Sequence, residues 1–149
     1  PAVTEEELLS MIDKIIAFEA GSGSEWKNNI LMLADNSDNG GNFSDDSDDI
    51  ATWVPADYSL TKIYLSELSI SEARQQFFDN INSGSLLVNY IGHSGYDRIA
   101  DEGLLLANDL SGNDPHLSNK GRLPIFTSMT CLMGQFAIPG FDKRCSDCR

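Results

Sequence analysis

Leu8, Met11, Ile12, Ile15 and Ile16 recur at helical spacing, with Glu19 as the one polar exception on the stripe. Thr4 followed by Glu7 is a capping-box pattern, so residues 1–20 read as a helix. Gly21-Ser22-Gly23-Ser24 breaks it. Residues 29–34 (NILMLA) form a short, unbroken apolar run, the pattern of a parallel strand covered on both faces. A polar stretch rich in Gly and Asp follows over 35–49 and reads as a loop. Residues 61–65 (TKIYL) alternate like a strand. Residues 71–81 (SEARQQFFDNI) read as a helix with Ser69 or Ser71 as its cap. Residues 85–91 (SLLVNYI) are a second apolar strand, ending at Gly92-His93. Residues 104–110 read as a short helix or turn. Residues 123–130 (LPIFTSMT) are a further strand, with Pro124 near its start.

Strand, helix, strand, loop, strand is a βαβ order, which gives a parallel sheet with helices on its faces. Groups that do chemistry in such sheets collect at the carboxyl ends of the strands. Asp35, His93 and Cys131 each follow a strand directly, so the three are expected at one edge.

At 149 residues the chain is expected to be one domain. Residues 1–23 are its helix and breaker, 24–141 its sheet core and 142–149 a tail. Hydrophobic residues make up 41% and charged residues 22%, which excludes a disordered chain. The formal charge of −13 argues against nucleic-acid and anionic-membrane partners and favours cations or basic substrates. No run approaches the ~20 apolar residues of a spanning helix, so no membrane insertion is expected. No basic segment leads into an apolar run at the start, so no signal peptide is visible.

The acidic segment holds six carboxylates, and no Lys or Arg lies between Lys27 and Lys62. Asp38, Asp45 and Asp46, with neighbouring Asn and Ser oxygens, suit Ca²⁺, although the spacing is a poor EF-hand. The competing reading is a solvated acidic loop. His93, in Gly92-His93-Ser94-Gly95, is either a turn residue or a functional imidazole at a strand end. His116 reads as a loop residue. Cys131 is either a buried structural thiol or a nucleophile paired with a nearby His. Cys145-Ser146-Asp147-Cys148 is a lone CxxC near the end of the chain, read as part of a ragged tail.

The ordered pair of a strand leading to Gly92-His93 and a later strand leading to Cys131-Leu132-Met133-Gly134 resembles the gingipain family of the caspase-like cysteine peptidases. The resembling residues are 85–93 (SLLVNYIGH), 123–126 (LPIF) and 130–136 (TCLMGQF), and the likeness covers roughly 13–141. It implies an α/β three-layer sandwich with a mostly parallel sheet, truncated at its C-terminus relative to the family. It implies a cysteine endopeptidase acting on protein or peptide substrates, with Cys131 as nucleophile and His93 as its proton partner. The acid that follows the family's first strand matches Asp35, with Asp38 second, as the group orienting His93. The backbone amides of Cys131 and of Ser94 or Gly95 would hold the oxyanion. Asp48 matches the acid that recognises a basic side chain in the Arg- and Lys-cleaving members. No cofactor is required by that chemistry. A secreted or surface-attached bacterial protein is implied.

Two departures stand out. Ser94 replaces the Gly that usually follows the family's His, and the family's sheet continues beyond the point where this chain stops. The rival readings are a non-catalytic or truncated peptidase fragment with an acidic loop and a serine hydrolase using Ser94. The latter's G-x-S-x-G elbow fails at Tyr96.

Overall fold

The apolar runs become the central strands of one parallel sheet in the computed structural model, which describes residues 2, 4–21, 24–110, 116–119 and 121–133. The strands are β1 (Asn29–Ala34), β2 (Ser59–Tyr64), β3 (Leu87–Ile91) and β6 (Ile125–Met129). Their order is β2-β1-β3-β6, and each pairing is parallel. Between β3 and β6 the chain makes a small antiparallel hairpin of β4 (Arg98–Ile99) and β5 (Leu105–Leu106). Part of the 104–110 segment, expected as helix or turn, is therefore strand. The β6 ladder begins at Ile125, whose N–H reaches the Leu86 carbonyl at 2.8 Å. It starts one residue after Pro124, which has no N–H to offer.

Alternation sorts β1 into two cores. Leu31 and Leu33 join Ile63, Val88 and Tyr90 on one face, under Ala73, Phe77, Phe78 and Ile81 of helix α3 (Ile70–Ser83). Ile30, Met32 and Ala34 join Tyr64 and Ile91 on the other face, under Phe43, Ile50 and Ala51 of α2 (Phe43–Ala51). Helix, sheet, helix is the expected three-layer arrangement. Ser69 starts α3 with a full capping box: its hydroxyl accepts from the Glu72 N–H, and the Glu72 carboxylate accepts from the Ser69 N–H.

Helix α2 lies inside the segment expected to be loop. Its inner face reads Phe43, Ser47, Ile50, Ala51, which is helical spacing with a buried serine where an apolar residue would have marked it. Asp45 and Asp46 fill its first turn, where negative charge meets the positive end of the helix dipole. The acidic run is thus largely helix N-terminus rather than a loop of free carboxylates.

Helix α1 (Glu5–Ala20) forms as expected, and the Thr4 hydroxyl accepts from the Glu7 N–H. Its apolar stripe stays exposed, with Ile15 at 59% and Ile16 at 57%. Lys27 holds its end by donating to the Phe18 carbonyl at 2.5 Å and lying over the Phe18 ring. Among the described residues, no helix is long and apolar enough to cross a membrane. Gly134, Gln135, Phe136, Cys145 and Cys148 lie outside the described residues.

Candidate active site

Ile91 of β3 pairs in register with Met129 of β6. Two residues on from each stand His93 and Cys131, matched positions at the carboxyl end of neighbouring strands, which in a sheet run about 4.8 Å apart. The pairing continues past the strands: the Gly92 N–H donates to the Met129 carbonyl at 3.3 Å, and the Ser94 hydroxyl donates to the Cys131 carbonyl. Thr130 donates its hydroxyl to Ser94 Oγ at 3.0 Å. Asp35 follows β1 on the other side of β3, with its N–H on the Ile91 carbonyl at 3.0 Å. The three strand-end residues do converge on one edge.

Cys131 is a free, exposed thiol, which removes the reading of a buried structural cysteine. The chain turns sharply after it. Leu132 sits at φ 65°, in the left-handed region, and the Met133 N–H closes back on the Cys131 carbonyl at 2.8 Å. A non-glycine residue held there costs on the order of 1–3 kcal/mol. Such strain presents the preceding side chain at the tip of a turn.

The His93 ring packs edge-on against Phe43 of α2, with centroids 5.2 Å apart. Its Nε2 meets Asp38 Oδ2 at 2.9 Å. The Asp38 carboxyl is held below the usual range, first by the Gly40 N–H and then by His93. Asp35 does not reach the ring. Its buried carboxylate accepts from the His93 backbone N–H at 2.9 Å and lies 3.1 Å from the Tyr90 hydroxyl. The first-choice orienting acid is corrected accordingly: Asp38, the second choice, contacts the imidazole.

Strand parity explains the exchange. Asp35 follows Ala34, which faces α2, so Asp35 turns to the α3 side with Tyr90. The His93 ring lies on the α2 side, against Phe43.

The amides expected to hold an oxyanion divide in the same local way. The Gly95 N–H is engaged by the Arg98 carbonyl at 3.0 Å, so Gly95 is removed from that role. Ser94 faces Ile99 in a bridge whose flanking bonds are Gly95 N–H to Arg98 and Ala100 N–H to the His93 carbonyl. That leaves the Ser94 amide directed out of the bridge. The Ser94 hydroxyl is tied to the Cys131 carbonyl and to Thr130, not to His93, which disposes of the serine-hydrolase arrangement.

Asp48 lies on α2 and accepts from Lys62 Nζ at 2.7 Å and from the Tyr64 hydroxyl at 2.6 Å. Burial and this bond push the Tyr64 phenol up to about 12. Asp48 is thus neutralised as a tie between α2 and β2, which corrects its expected role as a pocket floor. Asp45 accepts from the Asn42 amide, and Asp46 lies in the first turn of α2. Among the described residues no three or more His, Cys, Asp or Glu gather into a group that would hold a metal.

Sequence reasoning missed Phe43 and Tyr90. Tyr90 carried no signal, because a tyrosine inside an apolar strand reads as core. Phe43 followed once α2 was recognised.

A model of peptidase family C25 matches residues 1–147. The fold is similar to the crystal structure of the Arg specific cysteine proteinase gingipain R (RgpB), with a TM-score of 0.74 and 22% identity over 93% of this chain and 32% of that one. It is also similar to the complex of Porphyromonas gingivalis RgpB pro- and mature domains, with a TM-score of 0.69 and 21% identity over 87% of this chain and 31% of that one. The chain spans about a third of the length of either structure. No curated protein sequence matches it.

Proposed function

The chain belongs to peptidase family C25 over residues 1–147, and on that premise we propose that Cys131 and His93 form the dyad of a cysteine endopeptidase. The observation that carries the reading is the β3–β6 register, with its continuation through Ser94 to the Cys131 carbonyl. In this reading the neutral His93 donates Nε2–H to Asp38 and keeps Nδ1 for proton transfer. The thiol proton passes to Nδ1. The sulfur attacks the peptide carbonyl carbon, and the C–N bond breaks as His93 returns that proton to the leaving amine. A thioester remains. Water then gives a proton to His93, attacks the thioester carbonyl and releases the carboxylic acid and the thiol. The amides of Ser94 and Cys131 stabilise the oxyanion, each worth about 2.7–4 kcal/mol by analogy with known donors.

Substrates with a basic residue before the cleaved bond fit the charge of −13. The Arg specific proteinase similar in fold points the same way. With Asp48 occupied by Lys62, that preference rests on the net acidity of the chain.

A peptide panel differing only in the residue before the cleaved bond tests both parts. Cleavage after Arg, lost in Cys131→Ala and in His93→Ala, is the expected result. Cleavage that survives Cys131→Ala removes the dyad, and equal cleavage after Arg, Leu and Asp removes the basic preference.

A further inference from the structure

His93 is fixed at its peptide as well as at its ring. Its N–H donates to Asp35 Oδ2 at 2.9 Å. Its carbonyl accepts from the Tyr90 hydroxyl at 2.6 Å and from the Ala100 N–H at 3.0 Å. The same Tyr90 hydroxyl lies 3.1 Å from Asp35 Oδ2, so one buried phenol and one buried carboxylate close a ring around the backbone of a single residue.

The backbone is shaped to admit them. Gly92 sits at φ 151°, and a Cβ there would lie 2.3 Å from Asp35 Cβ and 2.6 Å from the Tyr90 oxygen. Only glycine lets the carboxylate and phenol come this close to the chain. Burial, and then the Asp35 charge, raise the Tyr90 phenol far above its ordinary value. It therefore stays protonated and able to donate throughout the working range.

We propose that Asp35 and Tyr90 are positioning residues that clamp the His93 peptide and thereby aim its imidazole between Asp38 and Cys131. The clamp lies on the α3 side of the sheet and the ring on the α2 side, so it acts on the base without touching substrate. Asp38 alone leaves the ring free to swing about its own exposed contact, since the side chains of His93 and Asp38 are about half exposed at 47% and 49%. The buried clamp supplies the fixed end of that lever.

The role rests on the dyad reading above, and the test separates the two. Tyr90→Phe deletes one hydroxyl and keeps the ring in the core. Loss of one buried hydrogen bond at a positioned group is expected to lower kcat for an arginyl peptide about tenfold. KM should be unchanged, since the clamp lies away from substrate. In an amide NMR spectrum the His93 N–H should move in both Tyr90→Phe and Asp35→Asn, because the second changes its acceptor and the first removes the hydroxyl beside that acceptor. Should Tyr90→Phe fail to fold, Asp35→Asn carries the same pair of measurements, with kcat again reduced at constant KM. His93→Ala runs beside them. An inactive His93→Ala with wild-type kcat in the clamp variants leaves the dyad standing and overturns the clamp. A His93→Ala variant as active as wild type overturns both.

Discussion

At the scale of single residues, the proposed chemistry turns on which carboxylate meets His93. Asp38 accepts from the ring and Asp35 from the backbone, so their isosteric variants should differ in kind. Asp38→Asn removes the charge that favours the imidazolium and permits the wrong tautomer. It should lower kcat by roughly ten- to a hundredfold, less than the 10²–10⁴ attributed to a general base as a whole. Its melting temperature should hardly change, because the pair is exposed and such pairs add little stability. Steady-state kinetics with a thermal melt checks both, and a fully active Asp38→Asn would remove Asp38 from the site. His93 was legible because an unbroken apolar run marks where β3 ends, and Cys131 because it follows the strand pattern of 123–130 within a motif that resembles the family. The choice between Asp35 and Asp38 was not, because it depends on which side of the sheet each residue after β1 turns to.

At the scale of elements, burial rather than hydropathy sets what a side chain is worth. Ile63 is fully buried between β1 and α3, whereas Ile15 on α1 is 59% exposed. Ile63→Ala should cost about 2–5 kcal/mol, and Ile15→Ala within about 0.5 kcal/mol. Denaturant melts of the two variants compare them directly, and equal losses would mean that α1 packs in solution. The β4–β5 hairpin is tied to α3 by Arg74, which makes a two-pronged contact to Asp109 at 2.9 Å on each arm. That contact, together with the Leu106 N–H, holds the Asp109 carboxyl below its ordinary value despite burial. A depressed folded value adds stability above the unfolded value near 3.9, and that stability is lost as pH falls through the lower folded value. Between about pH 5 and pH 2 the wild-type melting temperature should therefore fall more steeply than that of Asp109→Asn; parallel curves would refute it. The strands and α3 were legible from apolar runs and the Ser69 cap. Helix α2 was hidden by its acidity and its buried Ser47, and the hairpin by strands only two residues long.

At the scale of the whole molecule, the charge of −13 shows among the described residues as local ties and helix termini. Asp48 neutralises Lys62, Asp45 holds Asn42 and Asp38 holds His93. Millimolar calcium should then leave the melting temperature unchanged, since a ligand stabilises only by binding the native state. A rise of several degrees would mean that these carboxylates gather in solution. The three-layer architecture was readable from the order of elements, because a βαβ sequence has few other ways to cover a parallel sheet.

The central claim is that β3 and β6 bring His93 and Cys131 into one working pair. The most direct measurement is the rate at which an arginyl peptide ketone electrophile labels each cysteine, read by peptide mapping, in wild type and in His93→Ala. The pairing predicts that Cys131 is labelled at least tenfold faster than Cys145 and Cys148, and that His93→Ala removes that advantage. Equal labelling of the three cysteines, unchanged by His93→Ala, would contradict it.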